Sequence, residues 1–467
     1  MNHKIVEENL NGITHVPSGA GEITEDKVLQ HDAVFGEFTE GGPNYRNVGW
    51  LGTTAIMMKT QIGLGVLSMP MVLATFGIAP GVLALLMIAG ITTWSDWMVG
   101  IFKLRHREVY GIDDVGRMLF GRIGYEVFGA IYCLFFTFVA GSAILGVSIA
   151  LNALSEHGTC TAVFVGVAAI VSFMFASIRT LGQISWLAWI GATSIIISVF
   201  VITVAVGLQD RPSALPADIV EWKSDFKIIN KPTFAEAISA ISTLIFSYAG
   251  TPAFFNIVAE MRDPHQYTRA LATCQITITI IYIIVGIAVY YFCGSYVASP
   301  ALGSASPLIK KVSYGIALPG LLASAMIMLH LPAKHIFVRI LRGTEHLSAN
   351  SAIHWVTWLG STFSVSLVAY LIASGIPVFG GLVSLIGALL GTFLCFQPMG
   401  CMWLYDSWEN KRTIRWHLMV AWSVFVIALG TFLMIAGTYG SITSLLESYK
   451  ADGGSKAWSC ADNSNSA

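Results

Sequence analysis

The chain has 467 residues, of which 55% are hydrophobic and only 11% charged. A soluble domain carries about 25% charged residues, so this surface cannot face water all round; the mean hydropathy of +0.69 agrees. The 26 Lys and Arg nearly cancel the 27 Asp and Glu, leaving neither a basic field for nucleic acid nor an acidic solvating tail.

Residues 1–46 are polar and rich in Gly, Glu, Asp and Asn, with no apolar signal-peptide core. They are expected to form a disordered cytoplasmic tail. A bilayer core of about 30 Å takes about 20 apolar residues per helix. Such stretches predict about eleven spans, at 48–73, 76–101, 127–151, 161–178, 184–208, 236–260, 270–293, 315–341, 354–374, 378–404 and 415–440. Only the loops 102–126 and 209–235 exceed twenty residues, and no soluble domain fits between spans. Residues 47–440 therefore read as one all-α membrane unit, and 441–467 as a flexible tail.

Lys and Arg in the connections set the orientation. A cytoplasmic N-terminus puts Lys103, Arg105, Arg107, Arg117 and Arg122 inside, and an odd number of spans leaves the C-terminus outside. Cys160, Cys293 and Cys460 then fall near the outer side, where a disulfide could join two of them. No CxxC pair or metal-spaced His/Cys cluster occurs, so neither a metal nor a cofactor is expected.

Two spans carry helix-breaking residues near their middles. Span one contains Ile62-Gly63-Leu64-Gly65-Val66-Leu67-Ser68-Met69-Pro70; span six contains Phe246-Ser247-Tyr248-Ala249-Gly250-Thr251-Pro252. Lipid offers no partner for freed backbone groups, so irregular backbone at that depth points to a cavity. Glycine in a membrane helix can also mark a close helix contact. The pairing decides: spans one and six open two consecutive five-helix sets of opposite orientation, and matched breaks in inverted halves mark a transporter site.

At these residues the chain resembles the amino acid/auxin permease family, in particular its fungal neutral amino acid permeases. The likeness covers about residues 45–440. It rests on the first-span stretch Ile62 to Pro70, on Phe246–Gly250 through Glu260-Met261-Arg262-Asp263-Pro264, and on His330-Leu331-Pro332-Ala333-Lys334-His335 in span eight. The resemblance implies the five-plus-five inverted repeat of the bacterial leucine transporter with one helix appended, and import of amino acids.

The break residues then define an expected substrate site: Gly63, Leu64 and Gly65 on span one, and Phe246, Ser247, Tyr248 and Gly250 on span six. The outer half-helix of span one, expected to begin near Gly65, would turn its free N–H groups toward a substrate carboxylate. Span-six carbonyls would accept from the ammonium. Phe246, Tyr248, Phe254 and Thr137 or Phe138 are expected to sort side chains, favouring neutral aliphatic and aromatic amino acids. Residues 328–335 contain no hydroxyl or carboxamide for sodium but offer His330 and Lys334 one turn apart. Intramembrane titratable groups are functional candidates, so these two are the expected proton-coupling pair; Lys334 snorkelling to the interface is the alternative. Lys59 and Glu260 are the expected inner-gate pair, and Asp96, between Trp94 and Trp97, is expected near the cytoplasmic interface.

The reading is a proton symporter of neutral amino acids, working as a monomer in the plasma membrane. A vacuolar carrier or a sodium-coupled symporter is the alternative. A channel or receptor lacks support, because no filter or charge ring occurs. No HExxH or GxSxG motif suggests an enzyme.

Overall fold

The computed structural model describes residues 31–32, 36–37, 47–179, 181–209, 211–212, 215, 222–347, 349–409, 412–451 and 457–464. The tail expected over 1–46 lies outside the described residues, apart from a two-residue antiparallel pairing of His31–Asp32 with Gly36–Glu37. Ten helices among the described residues are long and apolar enough to cross a membrane, and the shorter apolar helix Thr161–Ala176 makes an eleventh segment. In chain order the spans are Trp50–Phe76, Ile78–Arg105, Ile112–Ser155, Thr161–Ala176, Leu181–Leu208, Phe234–Ala259, Tyr267–Cys293, Pro307–Leu341, Ala352–Gly375, Phe379–Ser407 and Ile414–Ala451. "Inner" below denotes the end of the bundle that carries Val48 and Arg105.

Span one is two helices, Trp50–Gly65 and Met69–Phe76, joined by a tight 3₁₀ turn at Val66–Ser68. The interruption therefore begins immediately after Gly65, and the outer half begins at Met69, about one turn beyond Gly65. Pro70 explains the shift: without an N–H, proline fits the first turn of the new helix and not the interior of the old one. Span six breaks where expected, between Phe234–Tyr248 and Thr251–Ala259, with Pro252 in the first turn of the inner half. Its outer half opens on a capping box, in which Thr233 accepts from the Glu236 N–H and the Glu236 carboxylate accepts from the Thr233 N–H.

Three other boundaries differ from expectation. The loop 102–126 contains helix from Ile112 onward, turned at Gly121, whose φ of 66° suits glycine. Span ten is interrupted at Gly387–Gly391 by a wide π-type turn and again at Phe396. Span eleven runs on to Ala451, past the expected end at 440.

The segment 441–467 is thus not a flexible tail throughout. Cys460 is disulfide-bonded to Cys160 at the head of span four. Asn463 accepts from the Asn152 amide at 2.7 Å, and the Lys310 ammonium donates to the Ser464 carbonyl at 2.9 Å. Polar groups within one span would not reveal this clip, because its partners are spread over spans three, four and eight. Cys293, the other expected disulfide candidate, is a buried free thiol.

Candidate substrate site

The breaks of spans one and six meet. The Ser247 hydroxyl lies 3.4 Å from the Gly65 carbonyl, and a Cβ on Gly65 would come within 2.9 Å of the Ser247 Cα. Glycine at 65 is what allows two backbones to touch here. Tyr282 of span seven stands over the junction, its hydroxyl 2.9 Å from the Gln61 carbonyl and 3.0 Å from the Ser247 carbonyl. One phenolic hydroxyl thereby serves both interrupted helices. Tyr282→Phe should lower uptake by about tenfold, the equivalent of about 1.4 kcal/mol, while the protein still inserts. Radiolabel uptake into proteoliposomes measures this, and unchanged uptake would remove Tyr282 from the junction.

Beside the junction lies a small cavity of about 10 Å³ lined by Lys59, Thr60, Gln61, Gly63, Leu64, Gly65, Phe135, Phe136, Val139, Phe246, Ala249, Ser324 and Met328. That is room for about one water molecule, so a substrate fits only when the walls part. Of the expected site residues, Gly63, Leu64, Gly65 and Phe246 line this cavity. Ser247 and Gly250 form the junction instead; a Cβ on Gly250 would meet the Phe254 ring and the Thr60 hydroxyl at 2.9 Å. Tyr248 turns away, hydrogen-bonded to Thr279 at 3.0 Å on span seven. Span three contributes Phe135, Phe136 and Val139, not Thr137 or Phe138, and the Thr137 hydroxyl bonds back to the Cys133 carbonyl.

Ser324, one turn before the stretch 328–335, also lines the cavity. In the fold its hydroxyl faces the Gly63 Cα, where any side chain would collide with it.

The inner-gate pairing also differs. Glu260 is bridged by Lys334, both of them buried. Lys59 instead runs forward along span one: a Cβ on Gly63 would lie 3.4 Å from its Nζ, and one on Gly191 of span five 3.0 Å from its Cε. Gly191 leaves the groove that accepts the lysine stem, so Lys59 joins the cavity wall rather than the inner mouth. A second bond across the mouth joins the Tyr132 hydroxyl of span three to Asn256 of span six at 3.0 Å. The chain entering span one adds backbone bonds, Val48 N–H to the Glu260 carbonyl at 3.2 Å and Arg262 N–H to the Val48 carbonyl at 2.9 Å. Spans one and six are thus tied together at the inner end and latched to spans three and eight.

His330 and Lys334 do not form the expected relay. His330 faces the Ala176 carbonyl at 3.5 Å and the Trp358 ring, whereas Lys334 faces Glu260. Below them, the end of span eight is pinned to the 102–126 segment by Arg342 to Asp114 at 3.0 Å, and His335 lies 3.7 Å from Asp113. Asp96 is fully buried, with the Gln275 amide donating to its carboxyl.

The match to known proteins agrees with this architecture. Residues 46–443 match the family model described as transmembrane amino acid transporter protein, and the chain belongs to that family. It is 33% identical over 433 residues to a transmembrane transporter of Gibberella moniliformis, covering 91% of this chain and 89% of the relative. It is 30% identical over 432 residues to the N amino acid transport system protein of Neurospora crassa, covering 91% of each. Among solved structures it is similar to a Na+-coupled sialic acid symporter at a TM-score of 0.51 and 12% identity, over 86% of this chain and 91% of that one. It is also similar to a nucleobase-cation-symport-1 family transporter in a closed conformation, at a TM-score of 0.53 and 13% identity, over 91% and 98%. The protein is a secondary transporter of the leucine-transporter-like fold.

Proposed function

We propose that the protein imports neutral amino acids by proton symport across the plasma membrane, working as a monomer with the end that carries Val48 in the cytoplasm. The observation that carries this reading is the junction of two interrupted spans at one cavity whose walls are largely apolar. Phe135, Phe136, Val139, Phe246 and Met328 supply the walls, and no carboxylate lines them to receive a cationic side chain. The backbone around Gly63–Ser68 faces the substrate carboxylate, and the span-six carbonyls near Phe246 and Ala249 face its ammonium. Lys334 and Glu260 hold the inner mouth shut until the substrate is seated. The Cys160–Cys460 bridge lies at the opposite end, which suits an oxidising outer side. The amino acid transport named for the Neurospora relative supports the substrate class.

The test is uptake of labelled leucine into proteoliposomes. Uptake should rise as the outside is acidified, persist without sodium and collapse with a protonophore. Excess unlabelled leucine or phenylalanine should compete, and lysine or aspartate should not. Strong competition by lysine would overturn the substrate class; a strict sodium requirement would overturn the proton.

A further inference from the structure

Asp96 is a fully buried carboxyl inside span two. The Gln275 amide of span seven donates to its Oδ2, the Tyr267 hydroxyl donates to its backbone carbonyl at 2.8 Å, and the Thr251 hydroxyl lies beside the carboxyl. The neighbouring Ser95 hydroxyl and the Gln275 Oε1 have no hydrogen-bond partner among the described residues. No ion pair reaches it among the described residues. The titratable groups that feel its charge are Tyr267 and Cys274 on span seven and Cys395 on span ten, and none is a cation. Span six presents only the neutral Thr251.

An ionised carboxylate in such a place is costly, and a carboxyl there stays neutral unless a charge or water reaches it. Asp96 also sits where charge would act on movement. Thr251 is the first residue of the inner half of span six, the segment that begins at the break and ends at the latch residue Glu260. Nothing in the substrate cavity touches this carboxyl, so it is separate from the wall residues described above.

We infer that Asp96 is the proton-carrying site of the symporter: it takes up a proton from the outer side, holds it in the closed state and releases it inward when the inner half of span six swings away and admits water. Release of the proton to the inside then requires the same movement that opens the substrate cavity inward. The assignment rests on the proton-symport reading, and deepens it by naming the carboxyl.

The decisive variant is Asp96→Asn, which keeps the shape and a partner for Gln275 but cannot lose a proton. With the membrane potential clamped at zero, a gradient of one pH unit should let the wild type accumulate substrate up to about tenfold, one unit being a factor of about ten. Asp96→Asn should show no accumulation above unity and no dependence of its rate on outside pH. A second readout needs no transport. The infrared spectrum of the purified wild type at neutral pH should contain the C=O stretch of a protonated, dry carboxyl, and Asp96→Asn should lack it. Gradient-driven accumulation by Asp96→Asn, or a band unaltered by the substitution, would overturn the assignment. A wild type indifferent to the pH gradient would overturn the symport reading instead, with the infrared band still deciding whether Asp96 holds a proton. Accumulation driven by sodium, lost in Asp96→Asn, would make the site a sodium site and overturn the inference.

Discussion

Glu260→Ala should abolish uptake and destabilise the protein by about 3–5 kcal/mol, because it removes the carboxylate that bridges the buried Lys334 ammonium. The two side chains are both buried and bridge the inner end of span six to span eight. Lys334→Ala should cost a similar amount by removing the ammonium that bridges the buried carboxylate. The reversed pair, Glu260→Lys with Lys334→Glu, should recover much of the stability and some of the uptake. The apolar pair, Glu260→Met with Lys334→Met, should fold well yet transport poorly, since a latch that cannot exchange partners gives no timed opening. Thermal unfolding in detergent and radiolabel uptake measure the two effects. Full uptake by Glu260→Ala would show that the bond is not a gate.

Gly65→Ala should be nearly as damaging with no charge involved. The added Cβ would meet the Tyr282 hydroxyl at 2.6 Å, the Ser247 Cβ at 2.8 Å and the Ser247 Cα at 2.9 Å. The last is backbone and cannot step aside, so the junction of spans one and six must open. A cost at the upper end of about 1–3 kcal/mol for overpacking corresponds to a loss of roughly a hundredfold in closed-state occupancy. Gly250→Ala should be milder, because the nearest atoms its Cβ meets, the Phe254 ring and the Thr60 hydroxyl at 2.9 Å, belong to side chains rather than to backbone. Uptake rates with surface biotinylation as an insertion control would check the order. Equal activity of Gly65→Ala and wild type would mean the two breaks do not close on each other during transport.

The long apolar stretches determined by themselves that this chain crosses the bilayer many times, because lipid permits few alternatives to a helix. The Gly/Pro positions likewise marked two broken spans. Pro252 and Gly250 located the span-six break to the residue, since a missing N–H acts within one turn. In span one Gly63 and Gly65 suggested an earlier start for the outer half, which begins at Met69 with Pro70 in its first turn. What only the tertiary structure decided is partnership. Lys59, Glu260 and Lys334 were all visible as intramembrane charges, yet which two would pair depended on Gly191 opening a groove that takes Lys59 away. Tyr248 looked like a pocket residue from its place in the break, and its rotation about the helix axis sent it to Thr279 instead. Tyr282, Ser324 and Asp96 lie on other spans far along the chain, and their neighbours are fixed by helix packing that no local pattern encodes. Helical periodicity tells which residues share a face. The crossing of one helix over another decides what that face meets.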